Sequence, residues 1–101
     1  MSKYVLAFRG QPDRDPAPGE DAAWGAWFGG LGGAIVDFGN RVGHVERLDA
    51  EHGGDAAKET LTGYVVVEAA DIDAAMNLAR GCPGLASGVS VEVAETVPMS
   101  G

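Results

Sequence analysis

Leu61–Glu95 reads LTGYVVVEAADIDAAMNLARGCPGLASGVSVEVAE, and its patterning decides the architecture. Thr62 to Ala69 is rich in β-branched and aromatic residues, the composition of a strand. Asp71 then offers a side-chain oxygen to the orphan N–H groups of a helix start, and Asp73 suits the positive end of the helix dipole. Ile72, Ala75, Met76 and Ala79 recur at helical spacing and predict one apolar face. Gly81 is placed to close that helix in the left-handed conformation, and Pro83 prevents its continuation. Val89, Val91 and Val93 alternate with Ser90, Glu92 and Ala94, which predicts a second strand with two unlike faces. Strand, helix and returning strand make one β-α-β unit with a right-handed crossover.

The N-terminal half repeats this order. Lys3 to Phe8 predicts a first strand, with Tyr4, Leu6 and Phe8 on one side and Val5, Ala7 and Arg9 on the other. Gly10 to Gly19 holds three prolines and reads as a loop. Glu20 or Asp21 opens a helix whose Trp24, Trp27, Phe28 and Leu31 share one face. Gly25, Gly29 and Gly30 each weaken it by roughly 1 kcal/mol relative to alanine, so burial of the tryptophans must hold it. Gly32-Gly33 ends the helix, Ala34 to Phe38 forms a strand, and Gly39-Asn40 is a turn or bulge. Arg41 to Leu48 reads as an irregular extension. Asp49 to Thr60 is polar and glycine-bearing, and is expected to be a mobile loop with the least protection from hydrogen exchange.

Two β-α-β halves predict an α+β, ferredoxin-like β-α-β-β-α-β domain with both helices on one face of a four-stranded antiparallel sheet. Tyr4, Leu6, Phe8, Val36, Val65, Val67, Val89, Val91 and Val93 are assigned to the helix-covered face. The other face takes Val5, Ala7, Arg9, Ile35, Asp37, Tyr64, Val66, Glu68, Ser90 and Glu92. That mixture is too apolar for a sheet facing water, so a second subunit is expected to cover it.

At 101 residues the chain is read as one domain, 1–101, and its 46% hydrophobic content argues against disorder. A formal net charge of −8 argues against nucleic-acid and anionic-membrane partners. Cys82 is the single cysteine, so no intrachain disulfide is available. With no visible signal peptide or membrane span, the reading is cytoplasmic.

Several stretches together resemble the YCII-related domain family, in the branch of small stand-alone proteins associated with the DGPF label. They are Lys3-Tyr4-Val5-Leu6, Trp24-Gly25-Ala26-Trp27-Phe28, Ile35 to Asn40, Leu61-Thr62-Gly63-Tyr64, Glu68-Ala69, Ala79 to Pro83 and Ser90 to Val93. The resemblance implies a dimeric α/β barrel. It also implies, for some relatives, a His–Asp pair, and for one group a dehalogenating elimination on a muconolactone. The first helix here contains no histidine, with Asp21 and Ala22 in that neighbourhood, while Asp37 matches the acidic partner.

Asp37 lies in an apolar strand, where burial would raise its pKa and suit it to proton transfer. The competing reading is an aspartate paired with Arg9 or bonded to the Gly39–Asn40 turn. His44 and His52 are the only imidazoles, too far apart in sequence and too far from cysteine for a metal signature. Cys82 at a helix end reads as packing. No metal or cofactor is expected. The functional reading is a homodimer with a small-molecule pocket and acid/base chemistry on a small cyclic or aromatic acid. Asp37 and His44 are its catalytic candidates, and Arg9, Tyr64, Glu68, Ser90 and Glu92 its ligand-binding candidates. The alternative is a non-catalytic small-molecule-binding or protein-interaction module.

Overall fold

Strict alternation makes Ser2–Gly10 (β1) a strand, and the alternation is visible in its burial: Tyr4, Leu6, Phe8 and Gly10 are buried, whereas Val5, Ala7 and Arg9 are not. The computed structural model describes residues 1–11, 15–46, 48 and 60–99. After β1 come a helix at Glu20–Leu31 (α1), a strand at Ile35–Arg41 (β2) and a strand at Thr60–Ala69 (β3). A helix at Ile72–Ala79 (α2) and a strand at Ser90–Glu95 (β4) complete the order. Short 3-10 turns at Gly32–Ala34 and Pro83–Ser87 follow the two helices.

The sheet order is β2-β3-β1-β4, and every neighbouring pair is antiparallel. β1 therefore runs parallel to β2 with β3 between them, and β3 parallel to β4 with β1 between them. This interleaving is the ferredoxin-like arrangement expected from the sequence. Tyr4, Leu6, Phe8, Val65, Val67 and Val89 meet Leu31 of α1 and Ala75 and Ala79 of α2 in one core. Both helices thus cover the same face.

Asp71 caps α2 as its sequence predicts, its Oδ1 accepting the Ala74 N–H at 2.8 Å. The buried face of α2 differs from the expected one. Ala75 and Ala79 are buried and Ala74 and Leu78 pack beside them, but Ile72 and Met76 are 45% and 37% exposed. The helix is rotated by roughly 80° from the predicted face, counting about 100° per residue. Its two buried alanines let the backbone approach the sheet closely.

Gly81 also plays another part. It has no positive φ, and the residue ending α2, Arg80, is right-handed. A Cβ at position 81 would lie 3.0 Å from Cδ1 and Nε1 of Trp27. The missing side chain makes room for that indole, whose N–H donates to the Leu78 carbonyl at 3.0 Å and ties α1 to α2.

In β2 the two faces are exchanged at the start of the strand. Ile35 pairs with Val67 and packs against the core, while Val36 is 43% exposed. A register shift between Ile35 and Asp37 supplies the extra residue, and a bulge of one residue reverses the side-chain parity that simple alternation assigns. A second shift follows before Asn40, where Gly39 has φ +68. The loop expected over Asp49 to Thr60 lies outside the described residues from 49 to 59. Thr60 itself belongs to β3 and is buried.

Candidate functional site

The first turn of α1 is built by Glu20. The preceding Gly19 is left-handed at φ 80 and gives no side-chain cap. The Glu20 carboxylate turns back instead, Oε1 accepting the Ala17 N–H and Oε2 accepting the Trp24 Nε1–H, each at 3.1 Å. Backbone donor, indole donor and the positive end of the helix dipole all converge on this carboxyl group. Glu20 is only 8% exposed.

Trp24 is held at the indole nitrogen by that bond, and its ring enters an aromatic cluster. Phe8 meets it edge-on at 5.1 Å and an interplanar angle of 85°, and Phe28 lies 6.1 Å away at 31°. Gly84 must lack a side chain here, since a Cβ would lie 2.8 Å from Trp24 Cζ2 and from Val89 Cβ.

These rings wall a cleft of about 910 Å³, within the size range of small-molecule sites. Its floor is Phe8, Gly63 and Val89, and one wall is Glu20, Trp24 and Phe28. Residues 38–45, at the end of β2 and beyond it, form the opposite rim. Thr60 also lines it, 5% exposed, and its Oγ1 has no hydrogen-bond partner among the described residues. A buried hydroxyl left unpaired costs about 1–3 kcal/mol.

The residues singled out from sequence fall in different places. Asp37 is exposed, so the burial argument for it lapses, and its Oδ1 accepts the Gly39 N–H at 2.8 Å. That bond is the turn interaction weighed against catalysis. The suggested pairing with Arg9 does not form: Asp37 aligns through Val66 with Val5, two strands across and four residues along from Arg9. At the usual strand spacings this is about 10 Å by about 13 Å. His44 lines the cleft at its exposed rim, with Nε2 3.5 Å from Glu46 Oε2.

The ligand-binding candidates spread over the helix-free face. Arg9 lies beside Ser90, Glu92 opposite Ala7, and Glu68 opposite Lys3. Arg9 lies six positions along β1 from Lys3, about 20 Å. Tyr64 lines the cleft, and its hydroxyl accepts a hydrogen bond from Asn40 Nδ2 at 3.1 Å. His44 and Tyr64 are thus the two candidates that reach the cleft. Glu20 and Thr60 were missed. The spacing of Glu20 four before Trp24 at a helix start was a readable signal, whereas nothing local marks Thr60.

Cys82 packs in the core, and burial pushes its thiol up from the ordinary value. The Gly84 and Leu85 N–H groups oppose that rise and the negative charge of Glu20 adds to it. The folded chain therefore holds this proton more tightly than the unfolded chain. Its stabilising contribution is present below the unfolded thiol's pKa, about 8.5, and is lost as pH rises through the raised folded value. The alkaline limb of unfolding midpoint against pH should be steeper in wild type than in Cys82→Ala. Parallel limbs would remove the thiol from the account.

Among the described residues no three His, Cys, Asp or Glu side chains gather to hold a metal ion, and no helix is long and apolar enough to cross a membrane. The class is thus a ferredoxin-like α+β domain with a ligand-sized cleft between its first helix and the sheet. The family model of the YCII-related domain matches residues 29–98, and the chain belongs to that family. Phe28, Trp24 and Glu20 precede the matched span, while Thr60 lies within it. A comparison with curated proteins finds no match.

Proposed function

We propose that the protein is a homodimeric small-molecule-binding domain that takes a ring-bearing ligand into the cleft beside α1. The observation that supports this most is the aromatic wall of the cleft together with the buried Thr60 hydroxyl, which has no hydrogen-bond partner among the described residues. Apolar walls supply affinity, and a few fixed polar groups orient the ligand. The two tryptophans of the chain give a direct readout, because Trp24 lines the cleft while Trp27 is bonded to Leu78. In a screen of small ring compounds, ligands should move the Trp24 indole N–H resonance, and Thr60→Val should weaken them about five- to tenfold, the worth of one neutral hydrogen bond. Compounds that perturb only the helix-free face would defeat this reading.

The dimer is proposed through the helix-free face. Val5, Ala7, Tyr64 and Val66 are only partly covered there, and both helices lie on the other side. Sedimentation should give twice the 10.3 kDa chain mass, and Val66→Arg should give a folded monomer. A wild-type monomer at micromolar concentration would exclude it.

The catalytic alternative is acid/base chemistry on a small cyclic or aromatic acid, and His44 at the cleft rim is its support. It requires turnover that His44→Gln abolishes while binding persists.

A further inference from the structure

We infer that the helix-free face receives a second copy of the chain with the two-fold axis running along the strands, so that Lys3 of each copy meets Glu68 of the other. This rests on the face-to-face dimer proposed above, and adds the orientation in which the face is complementary to itself.

Strand parity and register give the layout of the face. Tyr4, Leu6, Phe8, Val65 and Val67 point into the core, and Val91 and Val93 pack against it. Lys3, Val5, Ala7 and Arg9 of β1 therefore point the other way, as do Tyr64, Val66 and Glu68 of β3. Across β1 and β3, Lys3 lies beside Glu68, Val5 beside Val66 and Ala7 beside Tyr64. On the outer strands, Asp37 and Asn40 of β2 flank Val66 and Tyr64, while Ala94 and Glu92 of β4 flank Val5 and Ala7. The centre is thus a partly covered apolar group, Val5, Ala7, Tyr64 and Val66, with Lys3 and Glu68 beyond one end and Arg9 beyond the other. Lys3 and Glu68 are direct cross-strand neighbours, yet among the described residues neither side chain is in an ion pair.

A two-fold axis that stacks this apolar centre on itself has two simple directions. An axis along the strands lays β1 over β3 of the second copy and keeps the ends in place. Val5 then meets Val66, Ala7 meets Tyr64, and Lys3 meets Glu68 at two symmetric positions. Glu92 falls on Asn40, which is uncharged. An axis across the strands lays β1 over its own copy and exchanges the ends. Val5 then meets Ala7, and Lys3 meets Arg9 at two symmetric positions. Both directions bury the same apolar residues, so charge decides between them. One makes two contacts of opposite charge and the other two of like charge, and like charges brought together at an interface are costly. Facing sheets lie about 10 Å apart and within about 30° of parallel. A lysine and a glutamate reaching from opposite sides close that gap.

Charge reversal tests whether the pair crosses between chains. In sedimentation, Lys3→Glu and Glu68→Lys should each raise the dimer dissociation constant about tenfold or more. An equimolar mixture of the two variants should recover wild-type association, because each chain then offers the other an opposite charge at both contacts. If either single variant does not fold, the chain carrying both reversals decides. It should dimerise with itself as wild type does, and stay out of dimers with tagged wild type, where both contacts become repulsive. Recovery in the double variant but not in the mixture, or free exchange of the double variant with wild type, would place the pair within one chain. Either result would overturn this orientation and leave the dimer standing, as would single variants that dimerise like wild type. A wild-type chain that stays monomeric at micromolar concentration would overturn the dimer and the orientation together.

Discussion

Gly39→Ala is expected to destabilise the protein by on the order of 3–5 kcal/mol, the sum of a left-handed non-glycine residue and a steric overlap with fixed backbone. The cause is local and geometric. Gly39 has φ +68, and a Cβ built there would lie 1.8 Å from the Tyr64 carbonyl oxygen. Neither β2 nor β3 can move aside without breaking the Asn40–Tyr64 and Arg41–Gly63 pairings. For a domain of this size the loss corresponds to a fall of roughly 15–30 °C in unfolding midpoint. Gly25→Ala is the matching control, since nothing lies within 4 Å of a Cβ there. It should stabilise α1 by about 0.5–1 kcal/mol. Equal midpoints for the two variants would mean that the second irregularity of β2 is absent in solution. Because Gly39 and Tyr64 both line the cleft, splaying these strands should also weaken any ligand found for it.

Leu6→Ala should cost about 3–5 kcal/mol, in the upper part of the range for fully buried leucines. Leu6 is fully buried in β1, with Val65 of β3 as its partner on one side and Val93 of β4 on the other. The neighbours are strand residues whose backbones are held by ladder bonds, so the cavity cannot collapse far. Met76→Ala and Ile72→Ala probe the rotated face of α2 in the same way. With those side chains 37% and 45% exposed, each should cost under about 1.5 kcal/mol, much of their surface already being wet. Denaturant unfolding in which Ile72→Ala matches Leu6→Ala would restore the face predicted from spacing alone.

The candidate site was less readable than the fold. Asp37 drew attention as a charge among apolar residues, yet the bulges of β2 leave it outside the core and bonded to its own turn. The polar groups that meet in the cleft come from a helix start and a strand start forty residues apart, Glu20 and Thr60. A hydroxyl on one threonine carries no local signature of being buried without a partner among the described residues, because that depends on what the whole fold puts around it.

Local patterning is enough for the elements and their order. The alternation along Lys3–Phe8 and Val89–Val93, the Asp71 cap and the Gly32-Gly33 stop are consequences of backbone sterics and of local hydrogen bonds within a few residues. The tertiary structure decided which way those elements face. One extra residue in β2 turned Ile35 inward and Val36 outward, and contact with the sheet rotated α2 onto Ala75 and Ala79. It also gave Gly81 a different task, as space for Trp27. Helix rotation and strand parity are settled by packing between distant segments, and small shifts in either exchange exposed for buried side chains without changing any local propensity.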